Sequence, residues 1–407
     1  MTEVEVARLG RHGDGVSADG GVFAPLTLPG ELVAGEVAEG RMEAPEVLRP
    51  SADRVAPPCP AFGACGGCQL MHASDAFVAG WKRDRIAEAL ASRGLAAELR
   101  GTATSPEGSR RRAVLSGRRL REGAAMGFHA RRGARIVEIA PCRVLRPEIV
   151  AARAGLTALT ALAASRKGEV KLAVTVTGGG LDVDLRGARP LDGRLAAQAA
   201  AMAGREGWAR LAWEGEVLAL ARSPSVRFGS AAVVPPPGGF LQATEAGEAA
   251  LAGAVAEAVG PARRVADLFA GCGTFALRLA ETAEVRAVEA DAAHLAALAA
   301  GWRAAGGRLK RVETETRDLF RRPLPPAELA KLDAVVLDPP RAGAKAQAEQ
   351  LAASAVPRLA MVSCNPETFA RDARALIDGG YSLDWVLPVD QFRWSAHVEL
   401  AAQFTRR

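Results

Sequence analysis

Beyond residue 235, short apolar runs alternate with segments whose apolar residues recur at helical spacing. The runs at 265–268, 335–337 and 361–362 each lead into glycine, proline or polar residues within a few positions. Such runs predict short buried strands. Strands that alternate with helices are typical of a doubly wound sheet. The sequence therefore predicts a C-terminal α/β domain with a Rossmann-like fold over residues 235–407.

The first 55 residues follow a different pattern. Five glycines between Gly10 and Gly21 interrupt short apolar runs, and residues 28–31 have the composition of a turn. No helical period is present in this segment. Short strands joined by glycine turns predict a small β domain at 1–55, of the OB-like β-barrel kind.

The central segment, 56–234, predicts a small α+β domain. It opens with an irregular loop that carries three cysteines, and apolar residues then recur at helical spacing from 77 to 95. The runs at 170–176 and 181–185 predict two strands joined by a glycine-rich turn. The chain is therefore predicted to be multidomain.

Length and composition restrict the class of protein. The 407 residues are 49% apolar and 24% charged, which is usual for two or three globular domains. No apolar stretch reaches the ~18 residues of a membrane-spanning helix, and the N-terminus lacks the pattern of a signal peptide. We expect a cytoplasmic protein with no membrane association, and no obligate protein partner is evident.

Positive charge is concentrated in one part of the chain. The net charge is +6, and nine arginines but a single acidic residue, Glu122, lie between Arg110 and Arg135. Basic side chains release counterions from phosphates, so this cluster indicates a nucleic-acid interface. A basic face that only meets solvent is the alternative.

A carboxylate and a thiol follow two of the predicted strands. Asp338 comes directly after one apolar run and Cys364 follows another. Ligands bind beyond the carboxyl ends of the strands in an open α/β sheet. Cys364 is therefore a candidate nucleophile, because a thiolate at that edge is reactive once its pKa is lowered. A buried structural cysteine is the other interpretation.

The first strand of this domain leads into a glycine turn, Gly271 to Gly273, that lacks the third glycine of a dinucleotide fingerprint. Glu289 closes the next strand, where ribose hydroxyls are held in nucleotide sites, and Asp318 follows a further weak strand. With Asp338, these carboxylates fit S-adenosylmethionine better than NAD, because no pyrophosphate has to be held.

Four cysteines lie outside this domain. Cys59, Cys65 and Cys68 form the motif C-x5-C-G-G-C, and Cys142 follows 74 residues later. Four thiolates suit an iron–sulfur cluster or a tetrahedral zinc ion, for which His72 is a further candidate ligand. The uneven spacing favours the cluster, and a cytoplasmic location disfavours disulfides.

Together these residues resemble the RNA (uracil-C5)-methyltransferase family, in particular its branch with an N-terminal TRAM domain and a [4Fe–4S] cluster. The resemblance extends over essentially the whole chain. Its motifs are the cysteine motif with Cys142, the TRAM-like Gly13, Gly15 and 28–31, Phe-x-Gln at 240–242, Asp-Pro-Pro-Arg at 338–341, Ser-Cys-Asn-Pro at 363–366, and 390–399. The chain departs from the family at Thr244 and Thr274, where asparagine is frequent, and at 393–395.

The resemblance implies that Cys364 is the nucleophile and Glu399 the base. It implies that S-adenosylmethionine binds at Gln242, Phe269, Thr274, Glu289, Asp318 and Asp338. It also implies a [4Fe–4S] cluster held by Cys59, Cys65, Cys68 and Cys142.

The implied partner is RNA. A TRAM domain with a cluster favours 23S rRNA, and the T-loop of tRNA is the alternative substrate. Two other classes stay open: a non-catalytic RNA-binding or ribosome-assembly protein, which has no need of Cys364 and Glu399, and an amino-methyltransferase. We also predict that the cluster ties residues 59–68 to Cys142 and thereby orders the RNA-binding segment.

Overall fold

The computed structural model describes residues 1–139 and 142–406. The N-terminal part forms one seven-stranded sheet. Its strands are β1 (Thr2–Leu9), β2 (Gly15–Ser17), β3 (Phe23–Ala24), β4 (Leu32–Gly35), β5 (Val37–Ala38), β6 (Arg41–Met42) and β7 (Glu46–Arg49). They pair in the order β5-β6-β3-β2-β1-β4-β7. The predicted turn at 28–31 lies between β3 and β4, where Gly30 has a φ of 81°.

Helix α1 (Asp75–Ala91) follows the cysteine-containing loop. The Phe77 N–H donates to the Ser74 side chain at 3.2 Å, which caps the helix. The helix predicted at 77–95 is confirmed with shifted ends, since Gly94 has a φ of 65° in the turn that follows. Strands β8 (Glu98–Leu99) and β9 (Ala103–Thr104) come next.

The central part of the chain contains a seven-stranded sheet and three helices. The strands are β10 (Arg112–Arg119), β11 (Ala124–His129), β12 (Ile136–Glu138), β13 (Glu169–Thr177), β14 (Gly180–Arg186), β15 (Arg210–Trp213) and β16 (Glu216–Leu220). The helices are α2 (Pro147–Ala151), α3 (Arg153–Ala163) and α4 (Gly193–Arg205). The predicted strand pair is confirmed as the antiparallel β13 and β14.

A short hairpin, β17 (Val226–Phe228) and β18 (Ala231–Val233), precedes the C-terminal sheet. That sheet contains β19 (Arg264–Leu268), β20 (Glu284–Glu289), β21 (Val312–Thr316), β22 (Ala334–Leu337), β23 (Arg358–Ser363), β24 (Tyr381–Asp390) and β25 (Glu399–Arg406). The helices are α5 (Glu245–Val259), α6 (Ala276–Leu279), α7 (Ala292–Ala304), α8 (Pro326–Leu329), α9 (Lys345–Ala352) and α10 (Pro366–Asp378).

The strands of this sheet pair in the order β21-β20-β19-β22-β23-β25-β24-β8, and β9 also pairs with β24. Strands β19 to β23 are parallel, whereas β25 is antiparallel to both of its neighbours. Because β8 and β9 belong to it, residues 98–104 lie with the C-terminal sheet, although the sequence pattern assigns them to the central segment.

Both faces of the C-terminal sheet are buried. In β22, Ala334 and Val336 belong to the core on one face, whereas Val335 and Leu337 belong to the core on the other. This alternation follows from the two-residue period of a strand, and burial on both faces explains why the whole run is apolar. No helix within 1–139 and 142–406 is long and apolar enough to cross a membrane.

Candidate active site

Adjacent strand ends bring the proposed nucleophile and base to one edge of the C-terminal sheet. Cys364 directly follows β23, and Glu399 is the first residue of the neighbouring strand β25. The register pairs Ser363 with Leu400, so Cys364 and Glu399 occupy the next positions toward the edge. Asp338 leaves β22 at the same edge. The position is the one at which open α/β sheets bind ligands.

A buried amide connects several of these groups. Gln391 is 1% exposed, and its Nε2 donates to Gln242 Oε1 at 2.6 Å and to Glu399 Oε2. Its Oε1 accepts a hydrogen bond from the Ala243 N–H at 2.7 Å. Gln242 Nε2 in turn lies 3.5 Å from Asp338 Oδ2. Sequence reasoning quoted Gln391 within a motif but gave it no role.

The acidic groups of the site hold protons more tightly than they do in water. Burial raises the pKa of Glu399 to about 8, and the nearby Asp338 contributes to that rise. Burial also raises the pKa of Asp338 to about 7. The pKa of Cys364 is raised by burial and by Glu399 and Asp338, while Arg341 opposes the rise. A cation bound here would lower these pKa values.

The shifted carboxyl predicts a pH-dependent stability difference. Because the pKa of Glu399 is higher in the folded than in the unfolded state, the folded state binds this proton more tightly. The resulting contribution to the free energy of unfolding is fully present below the ordinary glutamate pKa of 4.5, and it is lost as the pH rises through about 8. We expect Glu399→Gln, which cannot ionise, to be more stable than the wild type by about 2–4 kcal/mol above pH 8. Thermal unfolding between about pH 5 and 9 measures this. A difference that does not shrink toward pH 5 would contradict it.

The turn after β19 forms a second part of the site. Phe269 has a φ of 65° and Gly273 a φ of 93°. A Cβ on Gly273 would lie 2.7 Å from Leu298 Cγ, so the turn requires glycine there. Glu289 Oε2 accepts a hydrogen bond from the Gly271 N–H at 3.0 Å, and Thr274 is half-buried in the same turn.

A buried carboxylate below this turn has spare hydrogen-bonding capacity. Asp267 Oδ2 accepts a hydrogen bond from the Ala276 N–H at 2.8 Å. Asp267 Oδ1 is buried and has no partner. An orphaned buried acceptor is costly unless a ligand donates to it. The turn therefore has the features of a ligand site.

Phe320, which sequence reasoning missed, lies beside this turn. Its ring centroid is 5.5 Å from that of Phe269, and the residue is 49% exposed. Its N–H donates to Asp318 Oδ1 at 3.0 Å. An exposed ring packed against a half-buried one, next to a carboxylate, offers a surface on which a nucleobase can stack. The available signal was an aromatic residue two positions after Asp318.

The four cysteines proposed as cluster ligands line one cavity, together with Arg110. Its remaining walls are mainly apolar: Ala61, Phe62, Met71, Phe128, Ile139, Val144 and Leu145. Burial and the other cysteines raise the pKa of Cys68 to about 12. Ala140 and Pro141, next to Cys142, lie outside the described residues. Within the described ranges, no group of three or more His, Cys, Asp or Glu is placed to hold a metal ion.

Only some of the nine arginines between Arg110 and Arg135 are exposed to solvent. Arg111 is 4% exposed and pairs with Glu248, while Arg131 pairs with Asp14 of the N-terminal sheet. Arg110 lies in the wall of the cysteine cavity, and Arg112 and Arg132 contact other parts of the protein, at Gly238 and Asp14. Part of the cluster therefore serves packing within the protein, and its exposed members remain candidates for the predicted nucleic-acid interface. The exposed members are Arg118, Arg119, Arg121, Arg132 and Arg135.

A cleft of about 780 Å³ is lined in part by Asn365, the residue that follows Cys364. Its lining residues come from the loop between β1 and β2, from the end of β11 and from the segment after β23, among others. The basic residues of the lining are Arg11, His12, Arg85, His129, Arg131, Arg132, Arg341 and His397. Asp14 and Glu367 also line the cleft and pair with Arg131, Arg132 and Arg85. Basic side chains still outnumber acidic ones, and such a cleft is suited to a polyanion.

A doubly wound sheet with a glycine turn and carboxylates at successive strand ends is the architecture of a class I methyltransferase domain. A family model described as tRNA (Uracil-5-)-methyltransferase matches residues 248–407. A solved tRNA (uracil-54, C5)-methyltransferase from Pyrococcus abyssi, in complex with S-adenosyl-L-homocysteine, superposes with a TM-score of 0.77. It is 20% identical and covers 99% of each chain, which shows a shared fold.

Curated relatives match over almost the full length. One from Mesorhizobium japonicum, described as an uncharacterized RNA methyltransferase, is 47% identical over 98% of this chain and 96% of its own. A 23S rRNA (uracil-C5)-methyltransferase from Chromohalobacter salexigens is 34% identical over 99% of this chain and 89% of its own. The chain belongs to the RNA (uracil-C5)-methyltransferase family. It is an S-adenosylmethionine-dependent enzyme that acts on RNA.

Proposed function

We propose that this enzyme methylates C5 of one uridine in 23S rRNA and that Cys364 forms a covalent adduct with C6. The observation that carries the mechanism is the placement of Cys364 and Glu399 on adjacent strand ends, with Gln391 linking Glu399 to Gln242. The relative from Chromohalobacter supports the choice of 23S rRNA. The enzyme is proposed to work in the cytoplasm without an obligate protein partner.

In this mechanism the Cys364 thiolate attacks C6, and the C5–C6 double bond becomes an enolate with nucleophilic carbon at C5. S-adenosylmethionine would supply the methyl group to C5, with its sulfonium–methyl bond broken and S-adenosylhomocysteine as the leaving group. The Glu399 carboxylate then removes the C5 proton, the double bond re-forms and the Cys364 sulfur leaves. A Glu399 pKa of about 8 makes the carboxylate a stronger base than an ordinary glutamate.

The methyl donor is proposed to bind at the turn after β19. Asp267 Oδ1 and the glycine turn fit a ligand there, and Glu289, Asp318 and Asp338 supply carboxylates at successive strand ends. Gln242, Phe269 and Thr274 complete the proposed binding residues. Phe320 is added to them, because its ring lies beside Phe269.

We expect Phe320→Ala to raise the KM for S-adenosylmethionine about 5- to 150-fold, because stacking contributes about 1–3 kcal/mol per base. The kcat at saturating donor should change little. Steady-state kinetics at fixed RNA concentration measures both constants. Arg322→Ala is the control, since Arg322 is a nearby exposed residue. An unchanged KM in Phe320→Ala would place the adenine elsewhere.

We also propose that Cys59, Cys65, Cys68 and Cys142 hold a [4Fe–4S] cluster. Four thiols around one largely apolar cavity are a suitable donor set for such a group. Gly66 lets the cysteine motif lie close to the end of β11, because a Cβ there would lie 2.9 Å from the His129 carbonyl oxygen. The OB-like barrel of the TRAM kind remains part of the proposal for residues 1–55.

Mass-spectrometric mapping of 5-methyluridine in a strain that lacks the gene tests the substrate. Loss of the modification at one 23S rRNA position would support the proposal. Loss only in the tRNA T-loop would keep the chemistry and replace the substrate. No loss in either RNA, once a redundant paralogue has been excluded, would favour an RNA-binding role.

A further inference from the structure

The loop that carries Gln391 and ends at Glu399, residues 390–399, is named here the catalytic loop. The segment directly after the cysteine motif binds it through main-chain groups. The N–H groups of Gln69 and Leu70 both donate to the Trp394 carbonyl oxygen, each at 2.8 Å. Gln69 is the residue that follows Cys68. The two residues that follow the cysteine motif are thus hydrogen-bonded to the catalytic loop.

The side chain of Gln69 strengthens this contact. Its Nε2 donates to the Gly66 carbonyl oxygen at 2.7 Å, within the cysteine motif. Its Oε1 accepts a hydrogen bond from the Ala396 N–H at 3.3 Å. One amide therefore joins Gly66 to the catalytic loop three residues before Glu399.

Helix α1 holds the other end of the loop. Lys82 is 0% exposed, and its Nζ lies 2.5 Å from Asp390 Oδ1. Nζ also donates to the Phe392 carbonyl oxygen at 3.1 Å. A buried ammonium is costly unless it is paired, so Lys82 and Asp390 fix each other's position. These contacts lie on both sides of Gln391.

The conformation of the loop needs such support. Trp394 has a φ of 62°, a left-handed conformation that is strained for a bulky residue. The strained residue is the one whose carbonyl oxygen accepts both hydrogen bonds from Gln69 and Leu70. Arg393 adds an ion pair with Asp75 of α1 at 2.6 Å.

We propose that Gln69 and Lys82 are positioning residues that hold the catalytic loop and thereby keep Gln391 and Glu399 in place for proton removal. The proposal rests on the proposed function for its catalytic part. Neither residue touches the reacting atoms in this scheme. Their effect should fall on the step that uses Glu399, because Gln69 and Lys82 contact the loop that carries Gln391, and Gln391 donates a hydrogen bond to Glu399.

The test compares Gln69→Met with Gln347→Met in single-turnover reactions on a uridine-containing RNA. Both changes remove an amide of similar size, but the hydrogen bonds of Gln347 go to the main chain of Leu324. We expect Gln69→Met to slow release of the covalent adduct about 10- to 100-fold, since a misplacement of about 1 Å has an effect of that order. Adduct formation should change less than about threefold. Gln347→Met should match the wild type.

Hydrogen exchange of the peptide covering 390–399 provides a readout that does not depend on activity. Exchange should be faster in Gln69→Met than in Gln347→Met. Lys82→Met is the second variant. If it fails to fold because Asp390 loses its partner, Lys82→Met with Asp390→Leu removes the whole pair. Unchanged exchange and unchanged adduct release in the folded variants would overturn the proposal.

The two proposals fail in different ways. If the wild type forms no adduct at all, the proposed covalent mechanism is wrong, whereas faster loop exchange in Gln69→Met would still establish that Gln69 holds the loop. If the wild type forms and resolves the adduct but Gln69→Met slows formation and release equally, Gln69 acts on the site as a whole. That result would overturn its specific role in positioning Glu399.

Discussion

Cys364→Ala is expected to abolish methylation of uridine, with turnover lowered on the order of 10⁴-fold or more, because the covalent route has no substitute for the nucleophile. C5 of uracil is a weak nucleophile until C6 carries a substituent. A variant without the thiol therefore loses the step on which methyl transfer depends. Single-turnover methylation of RNA with labelled donor measures the loss.

The matched control for this experiment is Cys364→Ser, which keeps a side chain of similar shape. Both variants should bind RNA as the wild type does, and only the wild type should form a stable adduct with 5-fluorouridine RNA. Measurable methylation of uridine by Cys364→Ala would disprove the covalent mechanism. Methylation of an amino group with no adduct would instead indicate an amino-methyltransferase.

The strand ends of the C-terminal sheet were predictable from sequence. The run from Ala334 to Leu337 is apolar at every position, and the structure buries both faces of that strand. An all-apolar strand followed by Asp338 and two prolines has one plausible place in an α/β fold, at the center of the sheet with its end at the ligand edge. The same reasoning located Cys364 after β23.

The contacts that organise the site were not predictable in this way. Gln391 meets Gln242, which lies 149 residues earlier, and Lys82 contacts the main chain of Phe392. No local period encodes such long-range pairs. The count of charges also assigned Arg111 to a basic face, although this arginine is buried and pairs with Glu248. A count of charges does not distinguish a solvent-facing arginine from a buried one.

Glu399→Gln should stop the reaction at a later stage than Cys364→Ala. We expect it to form the adduct and transfer the methyl group, and then to accumulate methylated RNA bound to Cys364. Release should be slower by about 10²–10⁴-fold, the usual contribution of a positioned base. The amide can still accept the hydrogen bond from Gln391, so the geometry of the site should be retained.

Denaturing electrophoresis with labelled donor separates the two variants, because only the Glu399→Gln adduct carries the transferred methyl group. In the wild type, release should accelerate as the pH rises toward about 8, where the Glu399 carboxylate forms. The residual release in Glu399→Gln should lack this dependence, since glutamine does not titrate. A variant that turns over at the wild-type rate, or accumulates adduct without the methyl group, would remove Glu399 from the role of base.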